Sequence, residues 1–413
     1  MKVKHLAIVG GGVAGISAYI SAIRSGAFNR ITVFDACGVG KGSGLSAFSD
    51  RMLCNTPVEL NSIDADNVMD FYHYCVRQGY ACTPQDYVPR SLFVEYLVRT
   101  FEQHRRQFDA QCGRTEVVNL SVNAINHQTR EIITSSGQRY PYDNCLLCLG
   151  PTRPSAYDVD QSEVENAKNA VVFGTKLSAI DLSIYLCSKG VHTTMVSPSG
   201  ELPSVRTRLY ERRDGPRFSE RVALRQLREA KSLEYRKLNA YSKLTRDIHE
   251  SGTNTWQDMI GDMLQRNMHK PTPLIRRTLM LAPRIIKRYL SAFTYGNAVL
   301  IQQFIDQGLL TILKGNKYDY LSPKERTLHL DGGDALLPQL TMNDHVVQIT
   351  YEPSSKVNVD VETLSRYGIY ASGALNRDVD LVVNYIRYIT QNNKKNISLM
   401  MKERRAQYED LCC

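Results

Sequence analysis

A candidate strand from Val3 to Val9, continuously apolar from Leu6 onward, stops on glycine. A stretch with apolar positions three and four apart follows through Arg24, and a second short run, ITVFD, ends on Asp35. That order predicts strand, helix, strand. It returns in NAVVFGTKLSAIDLSIYLCSKGVHTTMVS, again with a glycine where the first strand gives way to the helix. Between residues 205 and 295 the pattern changes to apolar positions at helical spacing with almost no glycine, as in solvated amphipathic helices. Two strand–turn–helix–strand units with a helical segment inside the second predict an α/β chain of two Rossmann-like dinucleotide-binding domains carrying a helical insertion.

At 413 residues the chain exceeds what one hydrophobic core serves. Its 43% hydrophobic and 23% charged residues are those of a globular chain, which excludes a disordered one. No run approaches the roughly 18 uninterrupted apolar residues of a membrane span, so no membrane partner is expected. The opening MKVKHLAIVGGG starts like a signal peptide but breaks on three glycines without a small-residue cleavage site. A cytoplasmic chain is the expectation. The ten cysteines lack the spacing of a disulfide framework and read as reduced thiols. Cys145 and Cys148 form a CxxC, the spacing of a redox pair, but on a strand residues three apart point to opposite faces, which favours buried strand cysteines. Cys412 and Cys413 end the chain without a CaaX box and read as a reduced tail.

Charge changes the picture in one place. The net charge is +9, yet between Val205 and Leu290 twenty Lys and Arg stand against nine Asp and Glu, so the rest of the chain is slightly acidic. Two readings remain open for this basic helical insertion: a solvated face with local ion pairs, or a docking surface for an acidic substrate or an acidic carrier protein. Nucleic acid is not expected, because the segment has neither a reading motif nor stacking aromatics.

The first strand–helix unit carries specific chemistry. Gly10, Gly12 and Gly15 stand in GxGxxG order between strand and helix. Gly10 suits the tight turn, Gly12 the approach of a pyrophosphate to the backbone, and Gly15 close packing of helix on strand. Backbone N–H groups at the helix start, around Val13 and Ala14, are placed to hold the phosphates. Asp35 follows twenty residues after Gly15, where a carboxylate accepts from ribose hydroxyls.

Beyond this unit, GVGKGSGLSAFSDRMLCNTPVELNSI, QDYVPRSLFVEYL and YDNCLLCLGPTRP resemble FAD/NAD(P)-binding flavoproteins related to class B flavin monooxygenases and N-hydroxylases. Near the end of the chain, YGIYASGALNRDVDLVVNYIRYITQ is similar to their closing flavin-binding strand and helix. The resemblance implies that FAD occupies the first site. It places Gly42 of the Gly40–Gly42 stretch, Asn55 of the Asn-x-Pro turn, Arg90 after Pro89, Gly150 after Leu149, and Gly373 with Ala374 around the cofactor. It also implies a discontinuous FAD domain, 1–157 and 352–413, and an NAD(P)-binding-like domain, 158–350, containing the insertion 205–295.

Relatives bind NADPH in the second domain, through a turn reading roughly Gly-Thr-Gly-Leu-Thr-Ala. Here the turn is Gly174-Thr175-Lys176-Leu177-Ser178-Ala179, with lysine where the pyrophosphate-admitting glycine would be. If that position needs a left-handed backbone, a side chain there costs about 1–2 kcal/mol. A lysine ammonium could equally meet a phosphate. Ser197-Pro198-Ser199-Gly200 lacks the arginines that suit a 2′-phosphate, and Tyr351 stands where relatives carry the glycine of a Thr-Gly pair. Use of NADPH or NADH stays open.

The chain has no HExxH, zinc-type Cys/His spacing, Walker loop or GxSxG, and no metal site is expected. A flavin carries hydride and oxygen chemistry itself, so the protein needs few acids or bases. Three readings follow. By resemblance, the chain is a flavin monooxygenase, N-hydroxylase-like, acting on a small-molecule substrate. Alternatively, it is an oxidase or dehydrogenase whose FAD is reduced by its own substrate, free or tethered to a carrier protein. The third is a flavoprotein subunit without catalysis.

Overall fold

The computed structural model describes residues 4–42, 45, 49–152, 159–207, 235, 237–252, 256–257, 288–320, 327–332, 336–351, 359, 361–376 and 385–409. Most of the insertion 205–295, the expected junctions at 157 and 352, and Cys412 with Cys413 lie outside them. The chain divides into two compact units: Met1–Ser46, Val58–Arg153 and Leu336–Cys413 form the first, Ala47–Pro57 and Pro154–Ala335 the second.

In the first unit β1 (His5–Val9) leads into α1 (Val13–Ser25) and β2 (Arg30–Phe34), as the apolar pattern predicts. Every residue of β1 is buried, which suits a parallel strand covered on both faces. On α1 the residues Ala14, Gly15, Ala18 and Ala22 are buried beside Ile16 and Ile20, and each fully buried isoleucine stabilises the fold by about 1.5–3 kcal/mol. The helix ends at Gly26, left-handed at φ +62°, whose N–H donates to Ile23 O. After α2 (Asp70–Arg77) and α3 (Arg90–Ala110) come β3 (Arg114–Val118), β4 (Val122–Asn126), β5 (Glu131–Thr134), β6 (Arg139–Pro141) and β7 (Asn144–Leu147).

The second unit starts its regular structure with α4 (Gln161–Asn166), β8 (Asn169–Phe173), α5 (Leu177–Ser188) and β9 (His192–Ser197). It continues through β10 (Val205–Arg206), β11 (Phe293–Thr294), β12 (Leu310–Lys314) and β13 (Thr327–Asp331). The chain then supplies β14 (Gln339–Asn343), β15 (Val346–Thr350), β16 (Ile369–Ala371) and the helix Ile386–Glu409 to the first unit.

The first unit holds a parallel sheet in the order β16-β7-β1-β2-β3 and an antiparallel sheet in the order β14-β15-β4-β5-β6. A core containing Val9, Phe34, Ile125, Ile132, Leu147, Val347 and Ile369 belongs to both sheets. The second unit holds a parallel sheet in the order β12-β9-β8-β13, and a two-stranded parallel ladder in which Val205 pairs with Phe293 and Arg206 with Thr294. That ladder joins the two ends of the basic stretch.

Two differences from the expected boundaries stand out. The second unit ends at Ala335 rather than at 350, because β15 pairs with β14 and β4 and extends the first unit's antiparallel sheet. The longer of the chain's two excursions from the first unit begins and ends at one place: Thr152 N–H donates to Leu336 O at 2.8 Å, and Leu336 N–H to Thr152 Oγ1 at 2.8 Å. Residues Ala47–Pro57 belong to the second unit, where Met52 is part of the core.

The basic stretch is not only a solvated face. Arg206, Lys243 and Arg288 are buried. Arg288 meets Asp247 at 2.7 Å and donates to Tyr235 Oη, and Tyr235 Oη donates to Asp247 at 2.7 Å. Lys243 meets Glu201 at 2.6 Å. Cations taken out of water need such partners.

Candidate functional site

Strand register brings the ends of the first parallel sheet level. Val9 pairs with Phe34 and with Leu147, and Leu147 pairs with Ala371, so Gly10, Asp35, Cys148 and Ser372 emerge along one carboxyl edge. Sequential strands run outward from β1 through β2 and β3, and β7 lies on β1's other side. Such a switch point opens the crevice where doubly wound sheets take ligands.

The glycines of the first turn have separable causes. Gly10 has φ +107° and donates to Phe34 O at 2.8 Å; a Cβ there would lie 2.4 Å from Cys148 O. A Cβ on Gly15 would lie 1.8 Å from Gly10 O. The fold itself therefore excludes side chains at both. Gly12 differs: a Cβ there would meet Gly42 Cα at 3.6 Å, an ordinary contact. Its bare backbone leaves room for a ligand, the room a pyrophosphate needs.

Donors and acceptors surround that room. Helix α1 starts beyond Gly12 at Val13 and Ala14, with no side-chain cap and no acid in its first turn, so its leading N–H groups are free to meet an anion. Asp35 is fixed by two backbone donors, Gly11 N–H to Oδ2 at 2.7 Å and Cys37 N–H to Oδ1 at 2.9 Å. A carboxylate has about four acceptor positions, which leaves capacity for ribose hydroxyls. Gly40 N–H donates to Gly11 O at 2.8 Å and brings the Gly40–Gly42 stretch beside the turn. These features fit a dinucleotide such as FAD.

The closing segment reaches the same place. A Cβ on Gly373 would lie 3.8 Å from the Ala14 methyl, and Ala374 is buried. Asn393 donates to Ala14 O at 2.8 Å, while the amides of Asn376, Asn392 and Asn396 all donate to Ala371 O. These asparagines stand on or before the helix Ile386–Glu409, which packs against α1. Nothing in the sequence distinguishes them from the other polar residues of this polar helix. Arg90 is buried at the start of α3 in this unit.

Asn55 belongs to the second unit, its side-chain amide donating to Ala292 O at 3.1 Å and its carbonyl accepting from Arg206. Tyr351 moves. Expected in the second nucleotide site, it directly follows β15 in the first unit, where its hydroxyl donates to Gly150 O at 3.2 Å.

The second turn repeats the backbone of the first with other side chains. Gly174, at φ +120°, donates to Val196 O at 2.7 Å, as Gly10 does to Phe34. Lys176 caps α5 at φ −94° and ψ −172°, close to the −78° and −158° of Gly12. The position is extended, so lysine there carries no left-handed strain. Ala179 takes the place of Gly15, and the crowding passes to Gly332, where a Cβ would meet Ala179 Cβ at 2.6 Å. Ser197 takes the place of Asp35. Its hydroxyl bonds Thr175 Oγ1 at 3.0 Å and accepts from Gly200 N–H at 3.0 Å.

Cys145 and Cys148 are buried free thiols, and burial pushes both well above the usual thiol range, Cys145 further helped by its neighbour Cys148. Among the described residues no group of side chains is arranged to hold a metal ion, and no helix is long and apolar enough to cross a membrane.

Residues 7–152 match the family model described as FAD-NAD(P)-binding, a span that contains the whole first turn, Asp35, Gly42, Arg90 and Gly150. No curated protein matches the chain. Among solved structures, it is similar to cyclohexanone monooxygenase from Rhodococcus sp. Phi1 bound to NADP+, at 13% identity, 98% of this chain, 85% of that chain and a TM-score of 0.44. Oxidized steroid monooxygenase bound to NADP matches at 15% identity over 49% of this chain and 40% of that one, TM-score 0.34. The covalent putidaredoxin reductase–putidaredoxin complex matches at 16% identity over 48% and 43%, TM-score 0.27. The chain thus spans less than half the length of the last two.

Proposed function

We propose that this chain, whose residues 7–152 are an FAD-NAD(P)-binding domain, is an FAD-dependent oxidoreductase, and that it works as a flavin monooxygenase on a small molecule with a nucleophilic atom such as an amine nitrogen. The observation that carries the reading is the room over Gly12, bounded by the uncapped start of α1 and by Asp35. Bound FAD would supply the hydride and oxygen chemistry. The chain's own part is binding and orientation. The N–H groups of Val13 and Ala14 would hold the pyrophosphate, and Asp35 would accept from the ribose. Gly42, Gly150, Gly373 and Ala374 would close round the cofactor with backbone rather than side chains.

A second reading is favoured by the second turn. Lys176 stands at the position equivalent to Gly12, and Ser197 uses its hydroxyl within the protein. An enzyme whose substrate reduces FAD directly has no need of a nicotinamide there. Anaerobic mixing of the FAD-loaded protein with NADPH and then NADH, followed at about 450 nm where oxidised flavins absorb, separates the two. Rapid bleaching supports the monooxygenase. Bleaching by dithionite alone moves the assignment to an oxidase or dehydrogenase, and failure of the purified protein to bind FAD overturns both.

A further inference from the structure

Tyr351 was expected to alter a nicotinamide site, yet β15 carries it to the edge of the first crevice. The register explains how. Gln348 pairs with Ala124 and Val346 with Asn126, so β15 runs back toward the start of β4, which directly follows β3 at the sheet's carboxyl edge. There the phenol donates to Gly150 O at 3.2 Å. Gly150 lies two residues beyond Cys148, whose carbonyl closes over Gly10. The ring is half-buried, and both burial and the charge of Asp35 raise its phenol above the ordinary tyrosine range. A tyrosine thus stands within electrostatic reach of the ribose-binding carboxylate, fixed by one hydrogen bond, and the reaction assigns it no part.

We propose that Tyr351 is a wall of the dinucleotide site, its ring lying against the adenosine half of FAD beyond the ribose held by Asp35. The direction follows from the order of groups along the edge. The pyrophosphate belongs over Gly12 and the ribose at Asp35, so a ring near both Asp35 and Gly150 meets the adenosine end and not the flavin. Aromatic rings give nucleobases a stacking face, and the bond to Gly150 holds this ring in place before a ligand arrives. The proposal rests on the reading of the first turn as an FAD site.

The test uses the full chain freed of flavin and three probes: FAD, ADP and FMN. FMN carries the flavin without adenosine, and ADP carries adenosine without the flavin. Tyr351→Ala should weaken FAD and ADP by about tenfold and leave FMN within twofold, whereas Tyr351→Phe, which keeps the ring, should restore most of both. Equal loss for FAD and FMN, or no loss for FAD and ADP, overturns the proposal while the FAD reading stands. Wild-type protein that binds neither FAD nor ADP overturns that reading and the proposal together. Should Tyr351→Ala fail to fold, Tyr351→Phe and Tyr351→Trp measured against the same probes decide. A wall requires both to retain the preference of the wild type for FAD over FMN, and loss of that preference with the ring present overturns it.

Discussion

The two glycine turns share a backbone and differ in what they offer a ligand. Each opens on a positive-φ glycine that donates to a carbonyl of the next strand, Gly10 to Phe34 and Gly174 to Val196. Each then passes through an extended residue that caps a helix without a side-chain bond, Gly12 in one and Lys176 in the other. Because the second turn keeps its conformation with lysine, the fold does not need glycine at that position. On the proposed FAD reading, its reason in the first turn lies outside the protein, in a ligand that must come close. The same contrast separates Asp35, which keeps acceptor capacity, from Ser197, whose hydroxyl is engaged.

The contrast is broken most severely at the packing glycine. Gly15→Ala places a methyl 1.8 Å from Gly10 O, and urea unfolding should show a loss of more than about 4 kcal/mol. Ala179→Gly, its counterpart, should cost only about 1 kcal/mol. Gly12→Val separates ligand from fold: unfolding should stay within about 1 kcal/mol of wild type, while FAD fluorescence titration shows affinity down by about a hundredfold, equivalent to about 2.7 kcal/mol. If the valine protein keeps its flavin, the cradle is misplaced. Asp35→Asn removes charge-assisted acceptance worth about 1.5–3 kcal/mol and should weaken FAD by about ten- to a hundredfold.

Lys176→Gly tests the other turn. With no left-handed strain to relieve, stability should change by no more than about 0.5 kcal/mol. Any gain in NADPH or NADH affinity, expected near tenfold, would come from removing the side chain itself. Unchanged affinity in a nicotinamide titration would put the block elsewhere, with Ser197 the next residue to change.

The smallest effects are in pH. His5 bonds Thr32 Oγ1 at 2.7 Å and is held below its ordinary 6.5, mainly by burial and next by Arg30. Its neutral form suits the fold, so its contribution is present above pH 6.5 and is lost as pH falls from there through the folded value. Asp64 is buried, which alone would raise its carboxyl, but its bonds with Arg24 hold it below its ordinary 3.8. Its contribution is present above pH 3.8 and lost as pH falls through the folded value. Urea unfolding from pH 8 to pH 3 should show both declines, and His5→Gln should remove the upper one.

Much of the first turn was legible because its causes are local. Gly10, Gly15 and Asp35 are brought together by one strand, one helix and the next strand, and the spacing along the chain is the spacing in space. The pairing of β15 was not. VVQIT reads as a strand, but which strand it joins depends on partners more than two hundred residues away, and that choice carried Tyr351 to the first unit. The unit that holds Asn55 was not legible for a related reason: a short segment between two parts of one unit can be held by another, here through Arg206 and Ala292. The buried asparagines of the last helix were visible only as polar letters, since a carbonyl that accepts three amides leaves no mark on a sequence.

The return of the chain at Leu336 also sets an order of assembly. On a ribosome adding about 5–20 residues per second, roughly 220 residues separate Thr152 from Ala371, about 10–45 s of synthesis. Throughout that interval β7 has an unpaired edge where β16 will lie, and α1 lacks the helix that covers its small-residue face. The second unit, except for Ala47–Pro57, is made as one continuous piece and can close first. The nascent first half is then an open sheet waiting for β16 and the helix Ile386–Glu409, and a nucleotide cannot be enclosed there until both have been made.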